Sequence, residues 1–192
     1  MPPKPKFKRE EIVAAAMQIV SAKGMEALTA QELRGALHCS ASPIFTVFNT
    51  MKEIQDEVRL AAMRYFERFA KAESAQMPLF KQVGMKMVRF GVQEPKLYQL
   101  LFMQEQRQGA TFDDVFGALG DTASLCIEAI ERDYGLAPEP ARTLFENVWI
   151  YTFGIGALCA TGMCRFSEAQ ISEMLTQTFT ALLEQTIRRK AD

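Results

Sequence analysis

The stretch LTAQELRGALHCSASPIFTVFNTMKEI (residues 28–54) decides the fold. Thr29 stands where a helix N-cap accepts from exposed amides. Glu32 follows three residues on, and Leu28 and Leu33 are placed for a hydrophobic staple. Such a start contributes about 1 kcal/mol and sets the angle at which the chain joins the helix. This helix is expected to end near Leu37. His38 and Cys39 then form a turn, and Ser40 caps a third helix over roughly residues 41–48. Pro43 falls at the third helical position, where a missing amide breaks no intrahelical bond. Thr50 with Glu53 repeats the capping pattern and opens a long fourth helix toward Ala72. Upstream, residues 9–23 place Ile12, Ala16, Ile19 and Val20 on one stripe, and Gly24 supplies the stop.

Two short helices joined by a three- or four-residue turn, behind a supporting helix, make a helix-turn-helix. Any small helical bundle contains such connections. The lengths, the caps and a basic arm, KPKFKR from Lys4 to Arg9, raise DNA binding above that plain reading. Residues 1–53 hold seven Lys/Arg against five Glu, a local +2 on a chain whose formal net charge is −1. A near-neutral chain of pI about 6.0 is no basic nucleic-acid coat protein.

Beyond residue 54 helical spacing continues, with short breaks and no sustained period-two alternation. The expectation is an all-α chain, with a three-helix head over residues 1–53 and a larger helical body over 54–192. The four cysteines show no CxxC pair, which fits reduced thiols in a cytoplasmic protein. Residues 147–164 carry no charge, but Asn147, Thr152, Thr161 and three glycines read as a helix buried against protein, with no membrane span. One histidine, no metal-ligand spacing and no phosphate-binding glycine loop speak against an enzyme, a metal or a cofactor.

From Ile12 to Ile54 the chain resembles the TetR family of bacterial transcriptional regulators. The likeness rests on the KG stop, the L-T opening of the second helix, the S-x-x-x-I-F-x-x-F core and the K-E-I start of the fourth. Residues 89–102, RFGVQEPKLYQLLF, and the last two helices resemble the family more weakly. The resemblance implies a homodimer that binds a palindromic double-stranded DNA operator, most often as a repressor, and is released by a small apolar effector. The chain departs from the family at three positions. Phe45 replaces a common tyrosine, Met51 a common lysine, and Pro43 a small residue. These losses keep an alternative open, a helical homodimeric interaction protein with weakened or lost DNA binding.

Ile44 and Phe48 are expected in the head's core. Thr46 and Val47 face outward, either simply exposed or reading DNA, since a hydroxyl addresses phosphate or a base edge and valine meets a thymine methyl. Lys6, Lys8, Arg34 and Lys52 are the candidate phosphate contacts. Phe45 lies beside them, and Thr29, Ser40 and Ser42 cap helices first and touch phosphate second. Each aromatic residue of the body, taken alone, reads as core. The pocket that the resemblance implies is placed at Phe102, Phe116, Trp149 and Phe153. The dimer contact is placed on the last two helices. There Gly154, Ala157 and Thr161 permit close approach, and Ile171, Leu175, Phe179 and Leu182 form a stripe. Ser167 with Gln170 is expected to cap the final helix.

Overall fold

The computed structural model describes residues 7–70, 77–104, 111, 114 and 121–191, with side chains through Arg188. Among them are nine α-helices, one short 3₁₀ turn and no strand. The Cα trace divides into two compact units.

The first unit holds the described residues up to Phe66 together with Glu94–Gln104. Helix α1 spans Arg9–Lys23 and buries the expected stripe of Ile12, Ala16, Ile19 and Val20. The Lys8 N–H donates to Glu11 Oε2 at 2.7 Å, and two glutamates in the first turn suit the helix dipole. Gly24 ends the helix at φ 91°, a conformation that favours glycine, with its N–H on the Val20 carbonyl at 2.8 Å. After a 3₁₀ turn at Met25–Ala27 come α2 (Ala30–Ala36), α3 (Ala41–Phe45) and α4, described over Met51–Ala70.

The helix α2 cap is half of the expected capping box. Thr29 Oγ1 accepts from Glu32 N–H at 3.2 Å, but the Glu32 carboxylate takes Lys23 Nζ at 2.7 Å instead of reaching back. Helix α3 is shorter than expected: the Thr46 hydroxyl donates to the Ser42 carbonyl at 2.8 Å, and the Val47 N–H reaches only three residues back, to the Ile44 carbonyl at 3.0 Å. Pro43 sits inside α3 without breaking it.

Helices α5 (Leu79–Gln93) and α6 (Pro95–Phe102) follow, and α6 belongs to the first unit. Glu94, at the N-cap of α6, accepts from Ser21 Oγ of α1 at 2.7 Å and from Tyr65 Oη of α4 at 3.2 Å. Leu33, Ile44, Phe48, Ile54, Val58, Leu97 and Tyr98 are fully buried and form the core of this unit.

The second unit comprises Glu67–Gln93 and the described residues from 111 onward. Its helices are the end of α4, α5, α7 (Asp121–Tyr134), α8 (Pro138–Ala160) and α9 (Glu168–Ala191). Val88 of α5, Ile155 of α8 and Ile171 and Leu175 of α9 form a buried cluster, with Met85, Cys159, Phe166 and Met174 against it. A β-carbon on Gly84 would lie 3.4 Å from Leu175 Cδ1, so glycine lets α5 approach closely there. The Phe80 and Phe179 rings stack at 3.9 Å, with Tyr134 5.2 Å from Phe179. In the charge-free run, buried Thr152 satisfies its hydroxyl on the Val148 carbonyl at 2.8 Å. No helix among the described residues is long and apolar enough to cross a membrane.

The cap of α9 is complete. Gln170 N–H donates to Ser167 Oγ at 3.2 Å and Ser167 N–H donates to Gln170 Oε1 at 2.8 Å, while Phe166 and Ile171 join the cluster below. Ser167→Ala is expected to cost about 1 kcal/mol in urea denaturation. A loss below about 0.3 kcal/mol would show that the cap is dispensable.

Candidate nucleic-acid interface

The exposed side of the helix-turn-helix is built from α2, the turn after it, and α3. Arg34, Gly35 and Gln31 of α2 line an open groove of about 710 Å³ with His38, Cys39 and Ser40. His38 adopts φ 48°, uncommon for a residue with a side chain, and the ring is exposed at the edge of the groove. Gln31 and His38 are not among the DNA-contact candidates that the sequence offers, His38 being placed there only in the turn. Gln31 carries no signal beyond its place on the outer face of a short helix.

The DNA-contact candidates fall in different settings. Lys6 lies outside the described residues. Lys8, Thr29, Arg34, Ser40 and Ser42 are exposed. Ser40 takes the N-cap position of α3 at φ −77°, ψ 173°, but its hydroxyl makes no capping bond, contrary to expectation. Phe45 is 37% exposed and Thr46 is exposed, whereas Val47 is half-buried. The Thr46 hydroxyl gives its hydrogen to Ser42, so outward it offers lone pairs and a methyl group. It thus suits a base amino group or a thymine methyl better than a phosphate oxygen. Lys52 is well exposed but pairs with Asp56 at 2.6 Å, and Asp56 also holds Arg59 at 3.3 Å. An exposed i,i+4 pair of this kind is weak, and a DNA phosphate can displace it.

Arg9 departs furthest from expectation. By pattern it ends the basic arm, but its guanidinium turns inward to α4. It pairs with Glu53 at 2.9 Å and Glu57 at 3.0 Å and lies 4.2 Å over the Phe48 ring. The partners are 44 and 48 positions away, beyond the reach of local pattern. Glu53 also accepts from Asn49 N–H at 2.8 Å, so its carboxylate caps one residue earlier than the Thr50 box predicts. Thr50 Oγ1 still accepts from Glu53 N–H at 3.2 Å.

The Asn49 backbone bond and then Arg9 hold the Glu53 carboxyl below the usual carboxylate range, and Glu57 and then Glu53 raise the Arg9 guanidinium. A depressed carboxyl contributes stability above its unfolded pKa, and that contribution is lost as pH falls through the folded value. The thermal midpoint of the head is therefore expected to drop between about pH 5 and pH 3, and less steeply in Glu53→Gln. Equal slopes in the two proteins would remove Glu53 from the account.

The ligand-pocket candidates divide between the units. Phe102 packs in the first, 5.0 Å from Phe66 and from Tyr98. Trp149 and Phe153 stack on each other along α8 at 5.4 Å and 17°, in the second. Phe116 lies outside the described residues. Of the dimer candidates, Ile171, Leu175 and Phe179 are 4%, 4% and 6% exposed within the protomer. Within the protomer Ile171 and Leu175 pack with Val88 and Ile155, and Phe179 packs on Phe80 and Tyr134. Leu182 and Ala157 are half-buried. Thr161 is exposed, and Gly154 opens onto free space. The outward face of α8 carries Ile150, 48% exposed, and Tyr151, 37% exposed, beside Gly154. Among the described residues no cluster of three or more His, Cys, Asp or Glu could hold a metal ion.

No protein-family model and no curated protein sequence matches the chain. Solved structures do. A TetR-family regulator from Mesorhizobium loti superposes with a TM-score of 0.61 at 19% identity, covering 93% of this chain and 98% of that one. A TetR-family protein from Vibrio parahaemolyticus gives 0.57 at 16% identity, over 91% and 98%. A TetR-family repressor from Thermus thermophilus, solved with lauroyl-CoA, gives 0.52 at 18% identity, over 92% and 94%. The chain therefore has the TetR-like fold, an all-α helix-turn-helix head with a helical body.

Proposed function

We propose that the chain is a cytoplasmic transcriptional regulator, a repressor that binds a palindromic operator as a homodimer and is released by a small apolar effector. The observation that carries this reading is the exposed α2–turn–α3 surface, with Gln31, Arg34, His38, Ser40 and Thr46 free of the core, on a TetR-like fold. The lauroyl chain of the lauroyl-CoA solved with the Thermus thermophilus protein supports an apolar effector. Helix α4 contributes residues to both units, so an effector in the body that reorients α4 would change the separation of the two recognition helices. That separation has to match one DNA turn, about 34–36 Å, and the effector has to prefer the non-binding geometry to act at all.

A gel shift on the DNA upstream of the protein's own reading frame, and on palindromes selected from random duplexes, tests the reading. Salt-sensitive binding that survives competitor DNA is the expected result. Its absence on every duplex would favour the homodimeric interaction protein, for which the internal pairing of Arg9 and Lys52 speaks.

A further inference from the structure

The corner between α8 and α9 brings two cysteines together. Helix α8 ends at Ala160, and Gly162, at φ 73°, turns the chain back. The Gly162 N–H returns to the Cys159 carbonyl at 3.0 Å, and the Cys164 N–H to the Leu158 carbonyl at 3.1 Å. By ordinary peptide dimensions, the second bond keeps the α-carbons of Cys159 and Cys164 within about 7 Å of each other. Disulfides span about 4.4–6.8 Å between α-carbons, so little movement separates the pair from bonding distance.

The turn between them is free to make that movement. Met163 is 75% exposed, and nothing lies within 4 Å of a β-carbon placed on Gly162. Both thiols are free and half-exposed. Burial, and next the neighbouring Cys164, raise the Cys159 thiol, while the Phe166 N–H donates to its sulfur.

We propose that Cys159 and Cys164 form a reversible oxidation site, which hydrogen peroxide converts to an intramolecular disulfide. The Cys164 thiolate attacks a peroxide oxygen; the O–O bond breaks, hydroxide leaves, and Cys164 becomes a sulfenic acid. Cys159, whose proton passes to the departing hydroxide, attacks the Cys164 sulfur and releases water. Overall two thiols lose two hydrogens and the peroxide is reduced to two molecules of water. A dithiol reductant reverses the bond. Cys159 takes the second, resolving step because burial disfavours the thiolate that a first attack on peroxide needs. Cys159 also packs against the cluster of Val88, Ile155, Ile171 and Leu175, so drawing it toward Cys164 disturbs the seat of α9. The site is an input distinct from DNA and from the proposed effector, and its test needs neither.

The full chain is treated with hydrogen peroxide, blocked with iodoacetamide and cut with trypsin. Cleavage after Arg142 and Arg165 yields residues 143–165, which contain Cys159, Cys164 and no other cysteine. This peptide is expected unalkylated and about 2 Da lighter, and dithiothreitol should restore two alkylatable thiols. Cys39→Ser should leave the light peptide unchanged, and Cys159→Ser and Cys164→Ser should each abolish it. Cys126, fully buried with its thiol pushed up to about 12, serves as the internal reduced reference. Two alkylated thiols alongside Met163 sulfoxide, a sulfinic acid at either cysteine, or a bond between two chains would each overturn the proposal.

Discussion

Phe48→Ala is expected to unfold the head and abolish DNA binding. Phe48 is 1% exposed, closes the core beneath α3, and carries Arg9 4.2 Å above its ring. Truncating a buried phenylalanine costs about 3–5 kcal/mol through lost transfer energy and the cavity left behind. A domain of this size has about 5–15 kcal/mol in all, so the loss removes a large part of the margin. The cost falls on α3 in particular. Helix α3 has five residues, far below the length at which a helix persists without tertiary support, and Ile44 and Phe48 supply that support. Circular dichroism melts and a gel shift on the same variant check the outcome. Phe48→Leu should retain most of both signals, since it leaves a smaller void. A destabilisation of Phe48→Ala below about 1 kcal/mol would mean that the core is not closed there.

The second large effect is expected from Ile150→Glu. This side chain stands on the outward face of α8 and is 48% exposed, so the substitution should leave the protomer folded. Ile150 lies one turn before Gly154, a candidate for the proposed dimer contact, and in a dimer that covers this face a glutamate there becomes a buried, unpaired charge. Losing a central apolar anchor costs about 2–4 kcal/mol, a weakening of association by roughly 30- to 1,000-fold. Sedimentation equilibrium at micromolar concentration should show a dimer for the parent chain and a monomer for the variant. Leu125→Glu, on α7 and 52% exposed, is the matched control and should remain dimeric. Equal behaviour of the two variants would place the contact elsewhere.

The sequence was most legible where the controlling interactions are local. Helix α1 runs over Arg9–Lys23, as its stripe and glycine stop require, and the Ser167–Gln170 cap forms in both directions. Legibility failed where a side chain had a distant competitor. Glu32 could reach back to Thr29 or across to Lys23, and the charge-assisted bond at 2.7 Å won. Arg9 belonged by pattern to a basic arm, yet two glutamates of α4 claim it. The stripe of Ile171, Leu175 and Phe179 shows a different limit. Helical periodicity identifies the face of α9 that is buried, but it is silent on whether the same chain or a second one covers it. The surface proposed to face DNA was legible as an exposed face through Arg34, Ser42 and Thr46. The orientation of the Thr46 hydroxyl and the exposure of His38 depended on backbone geometry that no spacing encodes.

The central claim is that α2, its turn and α3 read DNA, and affinity measured across duplexes that differ by single base pairs tests it most directly. Thr46→Ala is expected to change the preference at one base pair per half-site by about 1–3 kcal/mol, leaving other positions alone. Arg34→Ala is expected to weaken every duplex alike and to reduce the salt slope by about one. Binding by the parent chain no tighter than to unrelated DNA, or a Thr46→Ala profile indistinguishable from the parent's, would contradict the account.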